Sequence, residues 1–207
     1  MEPKRSRSEI KRQAILDAAK QAFLEQGVQG TSMDRVATLA EVSKRTVYNH
    51  FESKEALVMC LIGKLWQQAK HQQGGEYDPD VPLHGQLRSI IVAEVEVISS
   101  TEHIELNRVA FGHFFYHPDA LKQEIAKLSA HESSLVRWIK AACADGRLID
   151  LDAATAGEQV HHLVKGRCFW PQLLQIEPIL KPEQQLELAE QTTAMFLSHY
   201  QAASLED

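Results

Sequence analysis

Hydrophobic residues along this chain recur every third or fourth position, which is the spacing of one face of an α-helix. The first such run consists of Ile10, Ala14, Ile15, Ala18, Ala22 and Phe23. Ahead of it, Ser6 and Glu9 have the spacing of a capping box, and Gly27 follows it as a helix stop. Alternating runs of β-branched residues joined by hairpin turns are missing, so the pattern predicts an all-α protein.

Three further helices are predicted close behind the first. The second opens at Thr31 or Ser32, both of which are residues that favour the N-cap position. The third is short, starts after Ser43 and buries Val47 and Phe51, which are four positions apart. The fourth follows at once and has leucines every four positions along one side.

The rest of the chain predicts a larger helical body. A polar segment at 71–82 separates it from the first helices, and Pro, Gly and Asp residues mark the later turns. The predicted helices of the body are 83–100, 102–116, 119–144, 152–170 and 182–201. We expect two domains, 1–54 and 55–207, in which the fourth helix joins a three-helix head to the body.

Composition narrows the class of protein. Of the 207 residues 44% are hydrophobic and 24% charged, which is ordinary for a globular protein. No apolar run approaches the roughly 18–20 residues that span a bilayer, and no apolar stretch follows the charged N-terminus. The three cysteines are widely spaced and odd in number, which argues against disulfides and zinc. These features predict a cytoplasmic protein with no membrane association.

Charge is divided unevenly between the two predicted domains. Residues 1–54 contain ten Lys and Arg against seven Asp and Glu, a net charge of +3. The remaining residues contain twelve against twenty-one, a net charge of −9, although the whole chain has −6. A basic head on an acidic body is typical of proteins that bind nucleic acid through one lobe.

The third helix begins with two cations, Lys44 and Arg45, although the N-terminus of a helix is itself electropositive. The second and third helices together form a helix-turn-helix, 32–40 and 43–50, whose second helix would lie in the major groove of DNA. There, Arg and Lys can reach guanine O6 and N7. The polar face that would point outward comprises Ser43, Lys44, Arg45, Thr46, Tyr48 and Asn49. Double-stranded DNA is therefore the predicted partner.

The segment from Gly30 to Leu57, GTSMDRVATLAEVSKRTVYNHFESKEAL, resembles the DNA-binding signature of the TetR family of transcriptional regulators. The likeness covers about fifty residues when the first helix is included. One departure is Glu41, because the family often has glycine in this turn. A non-glycine residue with positive φ there would cost on the order of 1 kcal/mol.

The resemblance implies roles for individual residues of the head. The residues expected to face bases are Lys44, Arg45, Thr46 and Asn49. Those expected to hold phosphates, and so to position the protein without specifying sequence, are Thr31, Ser32, Tyr48, His50 and Lys54.

The resemblance also implies a homodimer that binds a palindromic operator, with the last two helices forming a four-helix bundle with the partner. Periodicity alone does not separate such a dimer face from an internal core. The body resembles AefR-type regulatory domains and would enclose a small-molecule effector of unidentified chemistry. The expected lining residues are Trp66, Phe111, Phe115, Trp138 and His162, although aromatic residues at helical spacing are more often ordinary core.

The sequence contains no pattern typical of an enzyme. We expect no cofactor and no metal, because His113 and His117 have the spacing of a ligand pair but lack a third ligand. The sequence therefore predicts a regulator, a repressor released from its operator by a small molecule. The alternative is a helical ligand-binding or interaction protein whose helix-turn-helix is only structural.

Overall fold

The computed structural model describes residues 6–71, 76–115, 119, 122 and 133–203, without the side chains at 65–71, 113 and 114. The described part is helical, as predicted, and its only β-type pairing is an isolated bridge between Leu148 and Gln201. The helices are α1 (Arg7–Gly30), α2 (Met33–Leu39), α3 (Lys44–His50), α4 (Lys54–His71), α5 (Leu83–Ile98), α6 (Thr101–Phe114), α7 (Ser134–Ala144), α8 (Ala153–Cys168), α9 (Trp170–Leu173) and α10 (Pro182–Tyr200).

One predicted helix was wrong. The sequence pattern predicted a single unbroken helix over 119–144, but Ser133 is not helical and α7 begins at Ser134. Ser133 is extended, with φ −73° and ψ 157°, and its hydroxyl accepts a hydrogen bond from the Val136 N–H at 3.2 Å. A serine in this position caps a helix rather than continuing one, so it starts α7.

The chain packs into two compact units. The first comprises Met1–Trp66 with Glu105–Leu128, and the second comprises Gln67–Ile104 with Ser129–Asp207. The predicted domain boundary between residues 54 and 55 stays a prediction. The core of the first unit includes Ile15, Leu16, Ala19, Phe23, Val36, Val47, Phe51, Leu57 and Ile62.

Helix α1 begins as its sequence predicts, and it is interrupted at the predicted stop, Gly27, before it ends at Gly30. The Ser6 N–H donates to Glu9 Oε2 at 2.6 Å and the Glu9 N–H donates to Ser6 Oγ at 3.1 Å, which is a complete capping box. Gly27 has φ 71° and ψ 168°, so the regular helix is broken there and one further turn follows it. Only glycine adopts such a backbone without steric cost.

The turn between α2 and α3 is a Schellman motif. The Val42 N–H donates to the Ala37 carbonyl at 3.0 Å, and the Glu41 N–H donates to the Thr38 carbonyl at 3.2 Å. Glu41 has φ 53°, so the steric cost of a non-glycine residue with positive φ applies to this position. Val42 packs against the core of the first unit and thereby fixes the direction in which the chain enters α3.

The second unit is built around α5, α8 and α10, with α7 packed on α8. Trp138 of α7 is buried, and its indole N–H donates to Gln86 Oε1 at 3.2 Å. Glu190 of α10 accepts from the Arg88 Nε–H of α5 at 2.8 Å and lies 2.8 Å from His84 Nε2. The hydrophobic core of this unit includes Leu87, Ile90, Ile91, Val95, Ile98, Ile139, Val160, Val164, Leu188 and Phe196.

His103, near the start of α6, is a buried histidine in this second unit, 4% exposed. Its ring packs edge-on against Phe169, with centroids 5.9 Å apart. Burial, with a smaller contribution from the neighbouring Lys165, lowers the pKa of His103 to about 4. The opposing influence of Glu102 is weaker, so this imidazole is neutral at physiological pH.

The turn geometry predicts the effect of replacing Glu41 by glycine. We expect Glu41→Gly to raise the free energy of unfolding by about 0.5–1 kcal/mol, because it removes the Cβ from a backbone with positive φ. Urea denaturation followed by circular dichroism measures this change. Glu41→Ala, which keeps the Cβ, is the matched control. The turn would not be strained if the glycine variant were no more stable than the alanine variant.

The low pKa of His103 predicts a loss of stability in acid. The unfolded chain binds a proton near pH 6.5 and the folded protein only near pH 4, so stability from this group falls as pH drops from about 6.5 to 4. At pH 5 the loss is about 2 kcal/mol. We expect His103→Gln to reduce the difference between urea unfolding midpoints at pH 7 and pH 5. An unchanged difference would mean that His103 titrates normally in the folded state.

Candidate nucleic-acid interface

Helix α3 is fixed to the first unit by one apolar side. Val47 is fully buried and Phe51, at the C-cap, is 4% exposed, as the sequence predicted. The guanidinium carbon of Arg12, on α1, lies 4.9 Å from the centroid of the Phe51 ring. This cation–π contact and the buried Val47 hold the helix on its scaffold, so its opposite side is presented to solvent.

The opposite side of α3 is polar, and the structure brings the predicted DNA-facing residues together on it. Ser43 caps the helix: its hydroxyl accepts from the Thr46 N–H at 3.1 Å and lies 2.8 Å from Thr46 Oγ1. Thr46 and His50 are half-buried. The exposed members are Ser43, Lys44, Arg45, Tyr48 and Asn49. A helix with one buried apolar side and one exposed polar side can enter the major groove.

Lys44 has a partner that the sequence analysis missed. Its ammonium lies 2.8 Å from Asp34 Oδ1, in the first turn of α2, so the cation at the start of α3 is compensated. This hydrogen bond raises the pKa of Lys44 above its ordinary value. Both side chains remain more than half exposed, at 59% and 64%. The approach of Asp34 to Lys44 depends on how the turn folds, so the spacing of the two residues in the sequence does not reveal it.

Arg45 differs from Lys44. Its side chain is exposed, and among the described residues none forms a hydrogen bond or ion pair with the guanidinium. It lies in the first turn of α3, next to the N–H groups that make that end of the helix positive. Arg45 is therefore the cation of this helix that is best placed to bind an external acceptor.

Thr31 does not fit its predicted role as a phosphate ligand. It is 2% exposed, and its hydroxyl donates to the carbonyls of Gly27 at 2.8 Å and Ala22 at 3.1 Å. Thr31 therefore binds two carbonyls of α1 from inside the unit. Ser32, in contrast, is exposed and caps α2 by accepting from the Arg35 N–H at 3.1 Å.

Lys54, also predicted as a phosphate ligand, begins α4 but its ammonium points to the end of α1. It donates to the Val28 carbonyl at 3.0 Å. A phosphate at this site would therefore compete with, or share, a hydrogen bond that joins two helices of the unit. Tyr48 is 46% exposed and has no such commitment among the described residues.

The residues predicted to line an effector pocket are not gathered into one described site. Phe111 and Phe115 stack with centroids 6.2 Å apart, but Phe115 is 80% exposed. Trp138 belongs to the core of the second unit and packs edge-on against Tyr77, with centroids 6.1 Å apart. His162 is exposed on α8. Trp66 lies among the residues whose side chains are outside the described part, as do His113 and His117.

A buried polar cluster in the second unit was missed. Glu94 of α5 is 2% exposed, and its Oε1 lies 2.5 Å from Nδ1 of His161 on α8. The sequence does indicate that Glu94 is buried, since it lies three positions after Ile91 and four before Ile98, both of which are buried. It is thus His161, and not the predicted His162, that turns toward the interior.

Lys165 adds a cation to this cluster, one helical turn after His161. Burial lowers its pKa, whereas the nearby Glu94 raises it. The ammonium lies 5.2 Å from the centroid of the Phe169 ring. Burial likewise raises the pKa of the Cys168 thiol to about 12, so this thiol stays protonated. The second unit therefore contains a buried acid, Glu94, beside a histidine whose side chain is 40% exposed and a partly buried lysine.

The described residues contain no group of three or more His, Cys, Asp or Glu side chains that could hold a metal ion. In the same part of the chain, no helix is long and apolar enough to cross a membrane.

Comparison with known proteins matches both parts of the chain. Residues 15–59 match the family described as bacterial regulatory proteins, tetR family, and residues 85–202 match the AefR-like transcriptional repressor, C-terminal domain. The second match alone covers more than half of the 207 residues.

Individual relatives agree with these matches. The chain is 35% identical to a TetR family transcriptional regulator from Pseudomonas syringae pv. tomato of known crystal structure, with a TM-score of 0.77 over 93% of this chain and 97% of that one. It is 29% identical to the uncharacterized regulator YhgD of Bacillus subtilis, over 66% of this chain and 69% of that protein. It is 37% identical to the repressor BepR of Brucella suis, over 44% of each chain.

The geometry and the comparisons point the same way. A helix-turn-helix with an exposed polar second helix is joined to a helical body, and both match one family of regulators that are not enzymes. Members of this family bind DNA, act as dimers and typically respond to small-molecule effectors. The chain belongs to the TetR family of bacterial transcriptional regulators and is a DNA-binding regulator.

Proposed function

We propose that this regulator is a homodimeric repressor in the cytoplasm that binds a palindromic operator through α3 and leaves it when a small molecule enters the body. The observation that carries the proposal is α3 itself, whose apolar side is buried while its polar side is exposed. Because one such helix makes few contacts, two copies on paired half-sites are the usual arrangement. Residues 1–54 would bind DNA, and 55–207 would bind the effector and the second copy.

Base recognition is assigned to the first turns of α3. Arg45 would donate to guanine O6 and N7, since its guanidinium is exposed and uncommitted. Lys44 would donate to a base or a phosphate after its ammonium leaves the Asp34 carboxylate. Thr46 and Asn49 complete the base-facing set. Ser43 lies beside it at the cap.

Phosphate contacts are assigned to the margins of the motif. Ser32 and Tyr48 are exposed, His50 is half-buried, and Lys54 would reach a phosphate by leaving the Val28 carbonyl. These contacts fix the register of the protein on the duplex and supply a salt-dependent part of the affinity. Thr31 is not among them, because its hydroxyl is turned inward.

Dimerisation is assigned to α8 and α10. Five of the apolar residues on these helices, Val160, Val164, Leu188, Ala189 and Phe196, are buried within the single chain and belong to its own core. Leu163, Leu186 and Met195 are 41%, 43% and 57% exposed and remain available for a second copy.

Effector binding is assigned to the interior of the second unit. The cluster of Glu94, His161 and Lys165 combines buried polar groups with the neighbouring Phe169 ring, as small-molecule sites commonly do. One solved relative, 25% identical with a TM-score of 0.71, is a flavonoid-responsive regulator, which supports a small-molecule effector in principle. The effector must prefer the state in which the two recognition helices are wrongly spaced, because equal affinity for both states would shift nothing.

Arg45→Ala tests the assignment of α3. We expect it to lower affinity for the selected operator by about 1–3 kcal/mol and to relax the preference at one base position. The operator is obtained by selecting random duplex DNA on the purified protein, and affinity is then measured by titration at two salt concentrations.

The matched control for Arg45→Ala is Lys140→Ala, which removes an exposed cation from α7. The control should leave both affinity and base preference unchanged. If Arg45→Ala still selected the same palindrome with native affinity, α3 would not read the operator. That result would favour the alternative in which the helix-turn-helix is only structural.

Asp34→Asn tests the pairing of Lys44. We expect this substitution to tighten DNA binding several-fold, because it frees Lys44 and removes a carboxylate near the phosphates. The slope of log affinity against log salt concentration should steepen by up to about one unit, which corresponds to one more released counterion. Asp17→Asn, on an exposed part of α1, is the control for loss of a negative charge. Weaker binding by Asp34→Asn would instead mean that Asp34 orients Lys44 for DNA.

A further inference from the structure

The chain between α8 and α10 consists of α9 and a turn at 174–177, which is held in place by several hydrogen bonds. The N–H groups of Ile176 and Glu177 both donate to the Pro171 carbonyl, at 2.8 Å and 3.3 Å. Gln172 is 2% exposed, and its side-chain amide donates to the Arg167 carbonyl at 3.3 Å and to the Pro178 carbonyl at 3.2 Å. These bonds join the end of α8 to both sides of the turn.

Two further features stiffen the same turn. Arg167 and Glu177 form an ion pair across its base. Prolines at positions 171 and 178 limit the backbone at either end. A segment with this many fixed points loses little conformational entropy when something packs against it.

The turn presents aliphatic side chains to solvent. Ile176 is 73% exposed and Leu174 is 64% exposed, and they stand two positions apart. Trp170, at the start of the neighbouring α9, is 43% exposed. Single exposed hydrophobic residues are ordinary on protein surfaces, but a cluster of them on a rigid turn is typical of an interaction site.

The surface of α8 leads directly to this turn. Leu163 lies near the end of α8, and Trp170 begins α9 after the break at Phe169, whose φ of −128° and ψ of −62° end α8. Leu163 is one of the residues on the proposed dimer face. The exposed apolar residues of the turn thus follow just beyond the end of a helix that contributes to that face.

The dimer face also needs more apolar surface than α8 and α10 provide. Leu186 and Met195 are nine positions apart on α10, which places them on opposite flanks of the helix, so a single face contains only one of them. Together with Leu163, this leaves two large apolar side chains, whereas homodimer interfaces bury about 800 Å² per partner around an apolar centre.

We infer that the turn 174–177 is part of the dimer interface, where Leu174 and Ile176 pack against a second copy of this chain. This inference rests on the proposed homodimer. A two-fold interface uses the same patch on both copies, so each turn adds its two aliphatic side chains to the buried surface.

The double variant Leu174→Ser with Ile176→Ser tests the inference. We expect its dimer dissociation constant, measured by sedimentation equilibrium on the full chain, to rise at least tenfold, equivalent to 1.4 kcal/mol. The matched control is Val81→Ser with Ile149→Ser, which removes two side chains of the same unit that are 39% and 43% exposed. The control should dimerise as the native protein does.

A second measurement does not depend on the stability of the variant. A photo-crosslinking residue placed at Ile176 should join two copies of the chain on irradiation, and the same residue at Val81 should not. Circular dichroism of each variant verifies that it is folded. The inference is overturned if the turn variant dimerises normally and position 176 gives no crosslinked dimer.

Failure of the inference and failure of the proposed dimer give different results. Leu163→Glu, on α8, should dissociate the dimer whether or not the turn takes part. If Leu163→Glu dissociates the dimer and the turn variant does not, the dimer stands and the turn lies outside it. If the native chain sediments as a monomer at all concentrations, the homodimer itself falls, and with it the inference.

Discussion

The burial of Val47 and Phe51 is the contact on which the rest of the DNA-binding unit depends. Helix α3 has seven residues, and a helix of that length is not stable alone in water. It stays helical because its apolar side packs into the core of the first unit, beneath the guanidinium of Arg12. The direction of every polar side chain on α3 follows from that packing, so the recognition surface is a property of the core beneath it.

Two of the three cations around α3 have a partner within the protein, and a partner of this kind can be exchanged for an external acceptor. Lys44 is held by Asp34 and Lys54 by a carbonyl of α1, whereas Arg45 is uncommitted among the described residues. An exposed ion pair contributes little to stability, so exchanging its partner is inexpensive. The acidic body limits attraction of DNA to the rest of the protein.

Features that depend on neighbouring residues in the chain were predictable from the sequence, and features that depend on distant ones were not. The capping box of α1 and the break at Gly27 are local, and both were anticipated. The inward turn of Thr31 and the burial of Glu94 depend on partners nine and sixty-seven positions away. Periodicity shows that a position is buried, but it does not show which helix covers it.

The hydrogen bond from Lys54 to the Val28 carbonyl gives the start of α4 a second property. In the proposed complex the same ammonium would also contact a phosphate, and its three N–H groups can donate to both acceptors only where both lie within reach of one position. Where they do not, contact with DNA and the joint between α1 and α4 would be linked. Linkage between two equilibria is reciprocal, and each changes the other by the same factor. The stability of the head and its occupancy of DNA would then depend on each other through one lysine.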